Sequence, residues 1–88
     1  QRPPETAIDD KKLLNEEDQL QHLAETAELT ERETVIMKLL YAGSTYQDIA
    51  DYLYISKNTV KHHVTSTYRK LGVTSKMEMI NLVRAMEE

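Results

Sequence analysis

The sequence predicts an all-α protein, because three features typical of helices recur along it. Apolar residues return every three or four positions, which is the spacing of one face of a helix. Several of these stretches are preceded by a hydroxyl residue with an acid three positions after it, which is a common helix start. Two glycines follow such stretches, where a left-handed residue often ends a helix. The 88 residues are enough for one small domain.

The first third of the chain is predicted to be an acidic helix behind a short linker. Residues 1–9 include two prolines and no apolar period, so we interpret them as a linker or the edge of a longer chain. A start at Gln rather than Met also indicates a fragment. Residues 10–28 place leucines and alanines at helical spacing among many acids. This helix could pad the domain, join it to an upstream module or pair with a second copy.

Four further helices are predicted within residues 29–88. A capping box opens the first, a weaker pair opens the second, a serine caps the third and another box opens the fourth. The predicted starts are Thr30 with Glu33, Thr45 with Asp48, Ser56, and Ser75 with Glu78, and the predicted stops are Gly43 and Gly72.

The second and third of these helices are joined by a turn of only about four residues, from Leu53 to Ser56. So short a connection makes the two helices meet at a steep angle, as in a helix-turn-helix. The predicted architecture is therefore a four-helix helix-turn-helix domain preceded by an acidic amphipathic helix. The turn alone does not establish a function, since many helical bundles have short turns.

The charge of the chain is unevenly distributed. Its net charge of −4 argues at first against a nucleic-acid partner. Residues 1–34, however, hold four basic and ten acidic residues, a net of −6, whereas residues 35–88 hold seven and five, a net of +2. No acid lies between Asp51 and Glu78, and a ligand meets this local charge rather than the total. The cations of that interval are Lys57, Lys61, Arg69, Lys70 and Lys76.

The third helix of the domain has three distinct faces at about 100° per residue. One stripe is apolar and predicted to be buried, with Tyr68 at its edge: Val60, Val64, Thr67 and Leu71. The opposite face is polar and free of acids, and consists of Asn58, Lys61, His62, Thr65 and Arg69. A flanking stripe consists of Thr59, His63, Ser66 and Lys70.

This helix has suitable chemistry for double-stranded DNA. The major groove admits one helix and displays hydrogen-bond donors and acceptors on the base edges. Hydroxyl and cationic side chains suit phosphate oxygens, which receive most protein–DNA hydrogen bonds. A solvated helix face would also be polar, but such a face usually mixes acids with bases, and this one has no acid.

Four segments of the domain closely resemble the LuxR/NarL/FixJ-type helix-turn-helix DNA-binding domain, in order and without gaps over about residues 29–84. The most specific part is Thr59-Val60-Lys61-His62-His63-Val64, followed at the right distance by Lys70-Leu71-Gly72. The four segments are residues 29–33, 43–50, 55–64 and 69–73.

The resemblance implies the effector domain of a bacterial transcription regulator, with its third helix in the major groove. The family's base-reading positions fall on Lys61, His62 and Thr65. Its last helix forms a homodimer contact, here Met77, Ile80, Asn81 and Arg84. The expected phosphate contacts combine the family's DNA-backbone-facing positions with other polar and cationic residues of the third helix. They are Thr45, Ser56, Lys57, Asn58, Thr59, His63, Arg69 and Lys70.

The chain departs from the family pattern at Tyr46, Thr65 and Lys76, so the target sequence is not predictable. The main alternative is a protein-interaction or dimerisation module in which the acidic N-terminal helix is the working surface. A further hypothesis is that residues 9–28 lie near the basic helix in the full regulator and lower its DNA affinity. A solvated linker helix is the simpler interpretation of that segment.

Composition excludes several other classes. The chain lacks cysteine, so disulfides and thiolate metal sites are excluded, and its apolar runs are far too short to span a membrane. No signal peptide is visible, and we expect a cytoplasmic location, although the parent chain could be membrane-anchored. An upstream sensor domain is expected in that parent chain.

An enzyme is not expected. His62 and His63 are neighbours, so they point about 100° apart on a helix and cannot both face one pocket. A metal site needs more ligands than this pair offers. No metal, cofactor or small-molecule ligand is therefore predicted for this fragment.

Overall fold

A computed structural model describes residues 16–86, which contain five helices and no strand. The helices are α1 (residues 16–26), α2 (Glu31–Tyr41), α3 (Tyr46–Leu53), α4 (Lys57–Leu71) and α5 (Lys76–Ala85). The predicted all-α class and helix order are confirmed. The predicted linker over residues 1–9 and the predicted start of the acidic helix lie outside the described residues.

The helix starts follow the predicted capping chemistry, with one difference. Thr30 with Glu33 and Thr45 with Asp48 both form complete capping boxes. At α5 the Ser75 hydroxyl accepts from the Glu78 amide, but the Glu78 carboxylate accepts from the amide and hydroxyl of Thr74, at 2.7 and 3.0 Å. Ser75 has φ −152°, whereas the other two caps have −69° and −81°. The more extended backbone at Ser75 accounts for the shift of the return bond by one residue.

The core lies where α2 and α3 pack against the apolar stripe of α4 and where α5 packs against α2. Buried side chains of α1 belong to the same cluster. Of the predicted stripe, Val60, Val64 and Thr67 are buried, while Leu71 and Tyr68 are half-buried. Burying each aliphatic side chain stabilises the fold by roughly 1.5–3 kcal/mol. The core side chains are Leu20, Ala24, Ile36, Met37, Leu40, Ile49, Ala50, Val60, Val64, Met79 and Val83.

The acidic helix α1 contributes to this core. Leu20 and Ala24 are 4% and 2% exposed. At the edge of the contact, Lys38 Nζ of α2 donates to Gln21 Oε1 at 3.0 Å and lies 3.7 Å from Glu17 Oε1. Helix α1 is thus packed on α2 by its apolar side, with Glu17, Asp18 and Glu25 exposed, and is not a solvated linker.

The turn between α3 and α4 is as short as predicted. Tyr54 adopts the left-handed conformation, and the amides of Tyr54 and Ile55 both donate to the Ala50 carbonyl oxygen. Ile55 packs against the core, and Ser56 caps α4. These bonds fix the start of α4 relative to α3. Across residues 16–86, no helix has both the length and the apolarity that crossing a membrane requires.

Candidate nucleic-acid interface

The polar face of α4 points outward, because the opposite stripe anchors the helix in the core. Val60, Val64 and Thr67 fix the rotation of the helix about its own axis. The acid-free face then borders a shallow groove along the surface of the domain. Its lining residues are Asn58, Lys61, His62, Thr65, Ser66 and Arg69.

The three predicted base-reading residues lie on this face and are free to bind a ligand. Lys61, His62 and Thr65 are all exposed, and none is covered by α1 or by another described element. The hydrogen bonds and ion pairs within residues 16–86 involve none of their side chains. Binding would therefore break no contact inside the domain at these positions.

The predicted phosphate contacts divide into free and engaged side chains. Lys57, Asn58 and Arg69 are exposed, and their side chains have no polar partner in the part of the chain that the structure describes. His63 is half-buried beside the stripe.

The predicted hydroxyl contacts already serve as helix caps. The hydroxyl oxygens of Thr45 and Ser56 accept from the amides of Asp48 and Thr59, at 3.1 and 2.9 Å. Ser56 Oγ and Thr59 Oγ1 also form a hydrogen bond of 2.8 Å, in which either hydroxyl can be the donor. A hydroxyl that accepts an amide proton keeps its own proton for donation. Thr45 and one member of the Ser56–Thr59 pair therefore still have a donor for a phosphate oxygen.

Lys70, also a predicted phosphate contact, forms an ion pair with Glu33 of α2. Lys70 Nζ lies 2.8 Å from Glu33 Oε1, and the two side chains are 31% and 6% exposed. An ammonium group has three N–H donors, so Lys70 can keep its bond to Glu33 and still donate to a phosphate that approaches it. The phosphate contact of Lys70 remains a prediction, while its contact with Glu33 is a feature of the fold.

The sequence predicted only one role for Glu33, the capping of α2, and gave no sign of its contacts with α4. Its Oε1 accepts from the Thr30 amide at 2.9 Å, and its Oε2 accepts from Ser66 Oγ at 2.6 Å. Burial raises the pKa of Glu33, but hydrogen bonds from Lys70, Ser66 and the Thr30 amide, with the charge of Lys70, lower it to about 2. The carboxylate is therefore ionised at neutral pH.

Ser66 and Lys70 are four residues apart, one helical turn along the flanking stripe of α4. Both bind the same carboxylate, so Glu33 fixes α4 against the start of α2 and helps to hold the acid-free face outward. The helical spacing of these two residues was visible in the sequence, but nothing local indicated their partner.

The predicted dimer surface lies on the outer side of α5. Met79 and Val83 are buried toward the core, whereas Met77 is 64% exposed. Ile80 is half-buried, and Asn81 and Arg84 are exposed. A self-complementary contact is sterically open here, and dimerisation remains a prediction. Within residues 16–86, no group of three or more His, Asp or Glu side chains is arranged to hold a metal ion.

Comparison with known proteins identifies the family of this chain. Residues 27–83 match the family described as bacterial regulatory proteins, luxR family. The chain belongs to the LuxR family. This family consists of DNA-binding transcription regulators with a helix-turn-helix domain, and the helices α2 to α5 lie within the matched LuxR segment apart from the last residues of α5.

A curated relative of the LuxR domain is the HTH-type transcriptional regulator MalT of Yersinia pestis (strain Pestoides F). It is 36% identical over 62 residues, which make up 70% of this chain and 7% of MalT. The chain thus spans only a small part of the length of this relative. No solved structure matches the chain.

Proposed function

We propose that this LuxR-family domain binds double-stranded DNA sequence-specifically, with α4 in the major groove, as the effector domain of a bacterial transcription regulator. The observation that supports this most is the exposed face of α4, where Lys61, His62 and Thr65 lie side by side without partners inside the described domain. Residues 52–77 contain no acid that would repel a phosphate.

The dimensions of α4 suit the groove. Its 15 residues extend about 22 Å at about 1.5 Å per residue, longer than the major groove is wide, at about 12 Å. The middle of the helix therefore faces base edges while both ends approach phosphates. Lys61 supplies a cationic donor for guanine acceptors, and Thr65 a hydroxyl and a methyl group. His62 has one ring nitrogen as a donor and, when neutral, the other as an acceptor.

Affinity would come mainly from charge neutralisation at the ends of α4. Lys57 lies at its start, Arg69 near its end, and Lys76 opens α5. Each phosphate that these cations neutralise releases condensed counterions, so the logarithm of the binding constant should fall linearly with the logarithm of salt concentration. This part of the affinity would be the same for any DNA sequence.

The same domain would act in pairs and within a longer protein. Two copies joined through Met77, Ile80, Asn81 and Arg84 would present two α4 helices to two half-sites. The longer protein would include an upstream sensor domain; that the match covers only 7% of MalT is consistent with a longer parent chain. The alternative, that acidic α1 is the working surface, fits less well because α1 uses its apolar side inside the domain, at Leu20 and Ala24.

The test begins with selection of bound sites from random DNA, followed by affinity measurements on the selected duplex by fluorescence anisotropy. Lys61→Ala should cost about 1–3 kcal/mol, roughly fivefold to 150-fold in affinity, and should relax base preference. Lys38→Ala removes the same charge from the side of α2 that faces α1, and should change the affinity by less than twofold. If Lys61→Ala bound the selected duplex as well as the parent, the docking proposed here would be wrong.

A further inference from the structure

Tyr54, the first residue of the turn between α3 and α4, has an unusual backbone conformation. Its φ of 59° and ψ of 43° lie in the left-handed region. A bulky L-residue adopts this region only at a cost in stability, whereas glycine and asparagine enter it readily. The turn tolerates this cost because two amides bind the Ala50 carbonyl and Ile55 packs on the core.

Within residues 16–86, no packing of the Tyr54 side chain offsets the cost of placing tyrosine in this backbone conformation. The side chain of Tyr54 is 94% exposed, so its ring packs against essentially nothing. Glu28, which follows α1, has the same φ as Tyr54. Exposure to water is favourable for the Glu28 carboxylate, whereas it is not favourable for the aromatic ring of Tyr54. An exposed tyrosine with an apolar ring and a hydrogen-bonding hydroxyl is typical of binding surfaces.

We propose that Tyr54 is a DNA-backbone contact, in which the ring packs against the sugar-phosphate chain and the hydroxyl donates a hydrogen bond to a phosphate oxygen. This inference rests on the proposed function of α4. Tyrosine hydroxyls are among the side-chain groups that bind phosphates in protein–DNA complexes. The favourable contact would form only on DNA and would offset the cost of the left-handed turn.

The position of the turn along α4 supports a phosphate as the ligand. His63, the midpoint of the base-reading positions, lies about 10 Å along the helix axis from Ser56, at about 1.5 Å per residue. In a groove about 12 Å wide, phosphates begin about 6 Å from the centre. Ser56 is thus already beyond the bases, and Tyr54 precedes it by two residues in the turn, so we expect Tyr54 at the end of α4 that approaches the phosphates. The cation Lys57 follows Tyr54 by three residues and the acid Asp51 precedes it by three, on the α3 side of the turn; no acid follows before Glu78.

Two substitutions separate the hydroxyl from the ring. Tyr54→Phe removes only the hydroxyl and should weaken binding about tenfold, the value of a hydrogen bond to a charged group. The loss should be equal for the selected duplex and for an unrelated duplex, since phosphates have no sequence information. Tyr54→Gly should weaken binding at least as much, while the melting temperature stays equal or rises by a few degrees because glycine accepts the turn without strain.

Tyr52 provides the matched control. It is 68% exposed but lies within the regular backbone of α3. Tyr52→Phe should bind both duplexes within twofold of the parent. Anisotropy on the whole 88-residue chain and thermal unfolding followed by circular dichroism give both readouts for every variant.

The outcomes distinguish this proposal from the proposed function. If the Tyr54 variants bound like the parent while Lys61→Ala lost affinity, the Tyr54 contact would be refuted and DNA binding by α4 would stand; a protein partner for the ring would then be the better explanation. A lower melting temperature in Tyr54→Gly would show that the ring stabilises the free domain, contrary to the premise. If the parent bound no duplex at low salt, both proposals would be wrong.

Discussion

Removing the charge of Glu33 should destabilise the domain more than any other single loss of an acid in residues 16–86. Glu33→Gln keeps the size and shape of the side chain but removes the ionised acceptor that binds Ser66, Lys70 and the Thr30 amide. The fall in the pKa of Glu33 from 4.5 to about 2 corresponds to about 3 kcal/mol of stability at neutral pH. We expect Glu33→Gln to lose roughly 2–3 kcal/mol, since its amide retains part of the hydrogen bonding.

The pH dependence gives a second, independent expectation. Because the folded pKa of Glu33 is lower than the unfolded value, its contribution is complete above about pH 4.5 and is lost as pH falls toward 2. The difference in stability between parent and Glu33→Gln should therefore be largest at pH 7 and shrink steadily between pH 4.5 and 2.

Urea unfolding followed by circular dichroism at several pH values measures this difference. Glu31→Gln is the matched control, since Glu31 lies in the same first turn of α2 but is exposed and should change stability by less than about 0.5 kcal/mol. A loss at Glu33 that matched the control, or a loss that did not vary between pH 7 and pH 3, would refute the role assigned to this carboxylate.

Two further substitutions test other parts of the fold. Leu20→Ala should destabilise the domain by about 2–4 kcal/mol in urea unfolding, because α1 is part of the core; a loss below about 0.5 kcal/mol would mean that α1 is dispensable. Gly72→Ala should lower stability by about 1 kcal/mol in thermal unfolding, because Gly72 has φ 77° and a Cβ there meets no neighbouring atom, which leaves backbone strain as the cost. Unchanged stability would mean that the turn relaxes.

The features that could be predicted from sequence are those that depend on near neighbours in the chain. The apolar stripe of α4 and the capping boxes at Thr30 and Thr45 involve residues three or four apart, so periodicity and spacing were sufficient. The exposure of Lys61 and its neighbours followed from the same period, because burying one side of a helix leaves the other side to solvent.

What escaped prediction depends on distant partners or on backbone angles. Glu33 meets Ser66 and Lys70 across 33 and 37 residues, and no local pattern in the sequence indicates such a pairing. The left-handed conformation of Tyr54 was hidden because turn rules assign that conformation to glycine or asparagine. The packing of α1 on α2 was one of several alternatives that its amphipathic pattern allowed, and the pattern could not choose among them.

The most direct test of the central claim is a nuclear magnetic resonance titration of the isotope-labelled chain with the selected duplex. We expect the largest amide shift changes, and broadening at intermediate ratios, in the first two-thirds of α4, around Lys61, His62 and Thr65, with small changes in α1. Changes concentrated in α1, with α4 unaffected, would contradict the account.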